Sequence, residues 1–512
     1  MESVAALVES VRRKGVRVWA ENGHLRYQAP RGALTGEDAE RLRAFRSEII
    51  CLLESSGGAV LSEYPPDRHI ARSYLPLAFS QLHHWNINHL SERPSARTVA
   101  SATRLSGKLD LRLLRHSVVL AAARQESLRL RIVPSGEGLA QRVSESVLCE
   151  LEISDLTGLP SELREHELSR LIERCVLEPI DITIDPLVEI RVFKLQEDEH
   201  VLLIAMEHVV SDAVSRGILF RDVLTAYAQL VNGKPVSLPP VSLQFTEYAV
   251  WQHRNQESWI YRHLPYWKEH LLEFPRIRFP AGGGTSGAGA SGWGEVPVHV
   301  CRDLKTKLQE SCRSLGTTLA MGVFTAYATL VARWCGVPEV LIQYQINGRD
   351  DPRLENTIGY FAALLYLRVE ILENDSFVDV AARVAREYCR AYEHVDAYYL
   401  ATRDPVPEFT GNTSFNWISL EPANGLSTLD DPSMAIVSTP HPVTLPAPSD
   451  VEFENEPMIM LFENERGVSG SIYFSASRLT LDQMQRFERN LNQFMRRLAE
   501  SPSTRVMSIP LL

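Results

Sequence analysis

The sequence predicts an α/β protein of two halves, preceded by a small α+β module that carries a β-hairpin. Three observations predict it. Strand and helix periodicities alternate from about residue 67 to the C-terminus. A glycine-rich stretch, residues 281–294, divides that region into parts of similar length, 67–280 and 295–512. The first 55 residues carry a helix–hairpin–helix pattern of their own. At about 100–200 residues per domain, 512 residues accommodate roughly three such units.

In the N-terminal module, residues 1–55, Val4, Leu7, Val8 and Val11 recur at helical spacing up to Gly15. Val16, Arg17, Val18 and Trp19 then alternate as a strand. Asn22-Gly23 follows, a dipeptide that tolerates the positive φ of a tight hairpin turn, and Arg26 and Tyr27 lie on the return strand. Thr35 with Asp38 resembles a capping box. Leu42, Phe45, Ile49 and Leu52 mark one face of a second helix. Ser55-Ser56-Gly57-Gly58 opens a flexible linker, placed at 56–66.

Further on, Val188–Leu195 and Val201–Met206 read as two strands joined by a polar turn. Asp212 is placed to cap a helix running through Leu219, Val223 and Leu230. The 281–294 stretch holds seven glycines among small residues and reads as a surface loop. No Gly-Lys-Ser/Thr follows it, which argues against a phosphate-binding loop.

Composition excludes several function classes. The net charge is −11, so no basic surface points to nucleic acid. No apolar run is long enough for a bilayer span, and Met1-Glu2-Ser3-Val4 lacks a signal-peptide pattern, so a cytoplasmic protein without a membrane partner is expected. The seven cysteines are widely spaced with no CxxC pair, which suggests reduced thiols and no metal site.

The segment that carries chemistry is Ala205-Met206-Glu207-His208-Val209-Val210-Ser211-Asp212-Ala213. His208 follows an apolar strand and Asp212 opens a helix, which mounts an imidazole on a rigid strand end. The spacing alone also fits a satisfied structural histidine. Alternation along the strand would point Glu207 away from His208.

Its neighbours sharpen the reading. The segment resembles the HHxxxDG motif of nonribosomal-peptide condensation domains. In the same order, Leu77 to Trp85 resembles SxAQxRLW, Arg124 to Arg129 resembles RHExLR, and Phe245 to Gln252 resembles YxDFAxWQ. Asn347-Gly348-Arg349 with Glu355 to Phe361 resembles GR…ExxIGxFVN, and Tyr392 to Asp396 resembles AYxHQD. The resemblance covers about residues 70–512. The first 55 residues resemble the β-hairpin docking domains of carrier-dependent synthases.

The resemblance implies two chloramphenicol-acetyltransferase-like α/β sandwich halves in a V-shaped pseudo-dimer, with His208 midway along a tunnel between them. It implies an acyltransferase without a permanently bound cofactor. The acyl chain would arrive as a carrier-protein phosphopantetheine thioester and pass to an amine or hydroxyl, on a small molecule or a second carrier. His208 would act as general base or as a positioning group. Asp212 would pair with Arg349 to hold the turn carrying His208, with Glu207 and Ala213 as structural support. The docking hairpin (Val16, Arg17, Val18, Trp19, Arg26, Tyr27) would capture the C-terminal tail of an upstream acyl or peptidyl carrier protein by strand addition. Six basic residues between 11 and 31 (Arg12, Arg13, Lys14, Arg17, Arg26 and Arg31) against Glu21 alone suit an acidic or mixed tail.

Several positions depart from the motifs. Glu207 replaces the first histidine, Ala213 the glycine, Gln125 the histidine of RHExLR and Ala363 the asparagine of FVN; RDxSRNP is absent or heavily altered near Arg403 to Phe415. They bear on substrate class more than on fold. With no adenylation or carrier pattern in the chain, a stand-alone enzyme for terminal or off-loading acyl transfer is expected. A non-catalytic recruitment module and a coenzyme A-dependent HxxxD acyltransferase are the alternatives.

Overall fold

The computed structural model describes residues 17–21, 24–28, 74–90, 99–271, 277–280, 293–401, 413–419, 437–441 and 457–512, except 137 and 148, together with 38, 42, 43, 46 and 49. In the N-terminal module β1 (Arg17–Glu21) pairs antiparallel with β2 (His24–Gln28), Trp19 opposite Arg26 and Val18 opposite Tyr27. The turn residues Asn22 and Gly23, Val16, and the expected first helix lie outside the described residues. Asp38, Leu42, Arg43, Arg46 and Ile49 are helical; Leu42 and Ile49 are buried while Arg43 and Arg46 are exposed, which is a one-sided apolar stripe. Thr35, Phe45, Leu52, Cys51 and the linker are not among the described residues.

The first half contains β3 (Leu75–Pro76), α1 (Phe79–Leu90), β4 (Val99–Ser106), α2 (Leu111–Ala123), β5 (Leu130–Ser135), β6 (Gly138–Val143), β7 (Leu151–Asp155), α3 (Ser161–Leu177), β8 (Val188–Gln196), β9 (Glu199–Met206), α4 (Ala213–Val231), α5 (Phe245–Arg262) and α6 (Leu264–Leu271). The second contains β10 (Trp293–Cys301), α7 (Arg302–Ser314), α8 (Leu319–Cys335), β11 (Glu339–Ile346), β12 (Ala363–Glu370), α9 (Phe377–Tyr392), α10 (Tyr398–Ala401), β13 (Ser414–Ser419), β14 (Val437–His441), β15 (Met458–Asn464), β16 (Gly467–Ser475) and α11 (Leu481–Glu500).

The first half is built on a five-stranded sheet, order β14-β4-β9-β8-β7, beside a small sheet β3-β6-β5. The two-residue period of β9 splits its side chains between two cores. Leu202, Ile204 and Met206 pack with α2 and α4, and Val201, Leu203 and Ala205 pack with α3. With both faces covered, the strand reads as a continuous apolar run rather than an alternation. The second half is built on a six-stranded sheet, order β10-β16-β15-β13-β11-β12, with β13 parallel to both neighbours. Its central helix α8 is apolar because it is almost wholly buried. No single helix among the described residues is long and apolar enough to cross a membrane.

Three boundaries differ from the contiguous division expected. First, β14 pairs with β4, Thr439 opposite Arg104, so residues 437–441 complete the sheet of the first half. Second, Trp259 in α5, Trp267 in α6 and Ile277 belong to the core of the second half. Both are long-range packing choices that local periodicity does not encode. Third, β10 starts at Trp293, inside the expected 281–294 loop, and pairs Gly294 with Phe474. A Cβ at Gly294 would stand 2.2 Å from the Phe474 ring, so that glycine is set by strand packing and not by a loop. Residues 281–292 are not described.

Candidate active site

His208 follows directly on β9. The strand ends at Met206, and Glu207 caps a single 3₁₀ turn, His208–Val210, before Asp212 caps α4. Backbone and side-chain bonds tie this turn to itself and to α1. Ser211 Oγ donates to the Glu207 carbonyl at 2.9 Å, and Gln81 Nε2 donates to the Val209 carbonyl at 2.7 Å.

The His208 ring keeps partial exposure and is packed against Tyr360 at 5.1 Å and His84 at 5.4 Å between ring centres. Its Nδ1 lies 3.3 Å from the Ser211 carbonyl. A carbonyl only accepts, so Nδ1 carries the hydrogen and Nε2 keeps its lone pair. Burial, and then the neighbouring His84, push its pKa down to about 4, against the opposing pull of Glu207, Asp212 and the Ser211 carbonyl. The ring is therefore neutral at physiological pH. In the resting state it is a weak base; negative charge developing beside it on an intermediate would strengthen it.

Asp212 is saturated with donors. Arg349 reaches it with two nitrogens, Nη1 to Oδ2 at 2.6 Å and Nη2 to Oδ1 at 3.0 Å. The Ser215 amide donates to Oδ1 at 2.8 Å and the Phe361 amide to Oδ2 at 3.1 Å. The Arg349 and Asp212 side chains are only 5% and 4% exposed. Arg349 also lies over the Phe361 ring, 4.5 Å from its centre. The pair thus fastens the helix after His208 to the 347–361 loop of the second half.

That loop is held along its length. Gly348 has φ +62°, and a Cβ there would lie 1.9 Å from the Phe361 carbonyl oxygen, so only glycine fits. The Gln125 side chain donates to the Asn356 carbonyl at 2.8 Å and accepts from the Ile358 amide at 3.0 Å. The departure from histidine at 125 therefore supplies both a donor and an acceptor to one backbone segment. Ala213 is the first residue of α4 and is half-buried. Ala363 is buried at the start of β12.

The structure changes the reading of Glu207. Its carboxylate is fully buried but does not point away from the histidine site. Oε1 sits 2.8 Å from His84 Nε2, and Oε2 accepts the Val209 amide. Strand alternation fails here because the strand has already ended. His84 itself was missed, as was Tyr360. The available signal was His83-His84, standing where SxAQxRLW has arginine and leucine. His83 lies 5.1 Å from Tyr399, and burial, then His84, lower its pKa to about 4.

Of the residues expected to dock a carrier tail, Arg17, Val18, Trp19, Arg26 and Tyr27 lie together on the β1–β2 hairpin, remote in sequence from His208. Among the described residues, no group of His, Cys, Asp and Glu is arranged to hold a metal ion.

Comparison with known proteins bears on both regions. A model of the condensation domain matches residues 71–512, and a model of the TubC N-terminal docking domain matches residues 4–55. A linear gramicidin synthase of Brevibacillus parabrevis is 29% identical over 335 residues, 65% of this chain and 7% of that protein. Chondramide synthase cmdD of Chondromyces crocatus is 28% identical over 341 residues, 66% of this chain and 9% of that one. The chain thus spans less than a tenth of the length of these relatives. Among solved structures, the EpoB cyclization-docking bidomain of Sorangium cellulosum covers 98% of both chains with a TM-score of 0.72 at 20% identity. The X-domain from teicoplanin biosynthesis covers 86% of this chain and 98% of its own, with a TM-score of 0.71 at 22% identity.

Proposed function

The chain belongs to the condensation-domain family, and from that premise we propose that it transfers an acyl group from a carrier-protein thioester to an amine or hydroxyl, with His208 at the reaction centre. The observation that carries the reading is the state of His208: neutral, partly accessible, and turned by the Ser211 carbonyl so that Nε2 is the free acceptor.

The steps balance on that atom. The nucleophile's lone pair attacks the thioester carbonyl carbon, and its proton passes to Nε2 as charge builds. The tetrahedral intermediate expels the thiolate as the C–S bond breaks, and the thiolate takes the proton from Nε2–H and leaves as the thiol. Assistance of this kind contributes roughly 10²–10⁴-fold. Asp212 takes no proton in this scheme; with both oxygens occupied by Arg349 and backbone amides, it fixes the helix end. The phosphopantetheine arm is part of the substrate. The hairpin β1–β2 would add a strand from the tail of an upstream carrier, as its docking-domain match supports.

The test is intact-mass spectrometry of an acyl-loaded carrier, incubated with the protein and a panel of amines and alcohols, beside His208→Ala. Loss of the acyl group with a matching amide or ester, abolished in the variant, is expected. Equal retention by both proteins, with the carrier shown to bind, would favour a recruitment module. One structural neighbour is an X-domain solved in complex with OxyB, which gives that outcome a concrete form. Equal turnover of a coenzyme A thioester would point to the soluble HxxxD class instead.

A further inference from the structure

Glu207 poses a physical problem. It is fully buried, and an ionised carboxylate without a cation is strongly disfavoured in a protein interior. Among the described residues its only ion-pair partner is His84, at 2.8 Å. Its second oxygen is taken by the Val209 amide, one residue beyond His208. The His84 ring in turn packs on His208 and, edge-on at 5.9 Å, on Tyr360. His84 comes from α1 and Glu207 caps the turn just after β9, 123 residues apart. One carboxylate thus links the turn carrying His208, through its backbone, to an imidazole that touches the His208 ring.

We propose that His84, held by Glu207, is a positioning residue for His208: a carboxylate-bound imidazolium packed against the reactive ring and setting both its orientation and its field. The two motif departures compensate each other. A histidine is lost at 207 and one is gained at 84, with the acid that replaced the first now holding the second. The pair is neutral overall, yet its cation is the member in ring contact with His208. In agreement, burial first and His84 second lower the pKa of that ring, His84 being the largest contribution from any neighbouring charge. The other groups facing the site are accounted for. His83 on α1 is held neutral by burial, Asp212 on α4 is matched by Arg349, and Tyr360 presents an uncharged ring.

The inference rests on His208 acting in the reaction, so its test reads His208 in two independent ways. His84→Leu alone would strand a buried carboxylate, so the informative variant is His84→Leu with Glu207→Gln, which removes both charges. Histidine-ring NMR of the full chain, with His208→Ala to assign the signal, follows the titration of His208 without any substrate. The pH profile of kcat/KM for the carrier reaction follows it functionally. The double variant is expected to titrate about 0.5–1 pH unit higher at His208. Its acid limb should move in the same direction, with a loss of about tenfold or more in kcat/KM near neutrality. An unchanged His208 titration overturns the proposal, even if the melting temperature falls, because a merely structural pair would do only that. If His208→Ala stays active while the NMR shift is found, the proposed reaction role fails and the electrostatic coupling stands.

Discussion

Two buried carboxylates bracket His208, and they are held in opposite ways. Asp212 accepts from a two-pronged guanidinium and from two backbone amides, and its partner comes from the other half of the molecule. Glu207 accepts from one backbone amide and one imidazole. Arginine stays charged at every accessible pH, whereas histidine exchanges its proton near neutrality. The comparison teaches that donor identity, more than burial, separates a structural pin from a tunable field. Asp212 joins two halves through a partner of fixed charge; Glu207 holds a group whose charge can be altered.

The difference can be broken most severely at the pin. Arg349→Ala leaves Asp212 buried and uncompensated, and urea unfolding should show a loss of about 3–5 kcal/mol or failure to accumulate soluble protein. A variant with an unchanged midpoint would remove the distinction. The pH dependence of stability sharpens it. His208 and His83 both have folded pKa values of about 4, below the ordinary 6.5. Their contribution is fully present above pH 6.5 and is lost as pH falls toward 4, because the unfolded chain takes up the protons first. Melting temperature should therefore decline across that window, and less steeply in His83→Gln. Activity is expected to fall near the lower end, as His208 itself protonates. Gln125→Ala removes one donor and one acceptor from the 356–358 backbone and should cost about 1–3 kcal/mol in the same urea assay. Smallest is Ala213→Gly, the motif residue, at the first turn of α4. It should cost under about 1 kcal/mol, and a larger effect on kcat/KM than on stability would show that the methyl group faces substrate.

Legibility in the sequence followed the range of the interaction. The strand pair ending at Met206, the polar turn between its strands and the Asp212 cap are local, and periodicity and turn chemistry expose them. The β1–β2 hairpin is local in the same sense. The Arg349 pairing was suggested by motif resemblance, since no spacing rule connects residues 137 apart. His84 shows in the sequence only as a departure from a motif; its role depends on α1 meeting the residue after β9, where the strand period no longer governs the direction of Glu207. The assignment of Trp267 to the second core was hidden for the same reason: an apolar helix face does not state which neighbour it will cover.

The pairing of β14 with β4 has a consequence for synthesis. A ribosome that has released the first half has made every strand of its sheet except one, and β4 waits with an open edge until residues 437–441 emerge. For that interval the growing chain carries an unpaired strand, the kind of surface that templates misassembly. Folding of the first half therefore cannot be finished by the first half. Of two separately expressed pieces cut within residues 281–292, the first would need the second before its five-stranded sheet is complete, whereas the second carries every strand of its own six-stranded sheet.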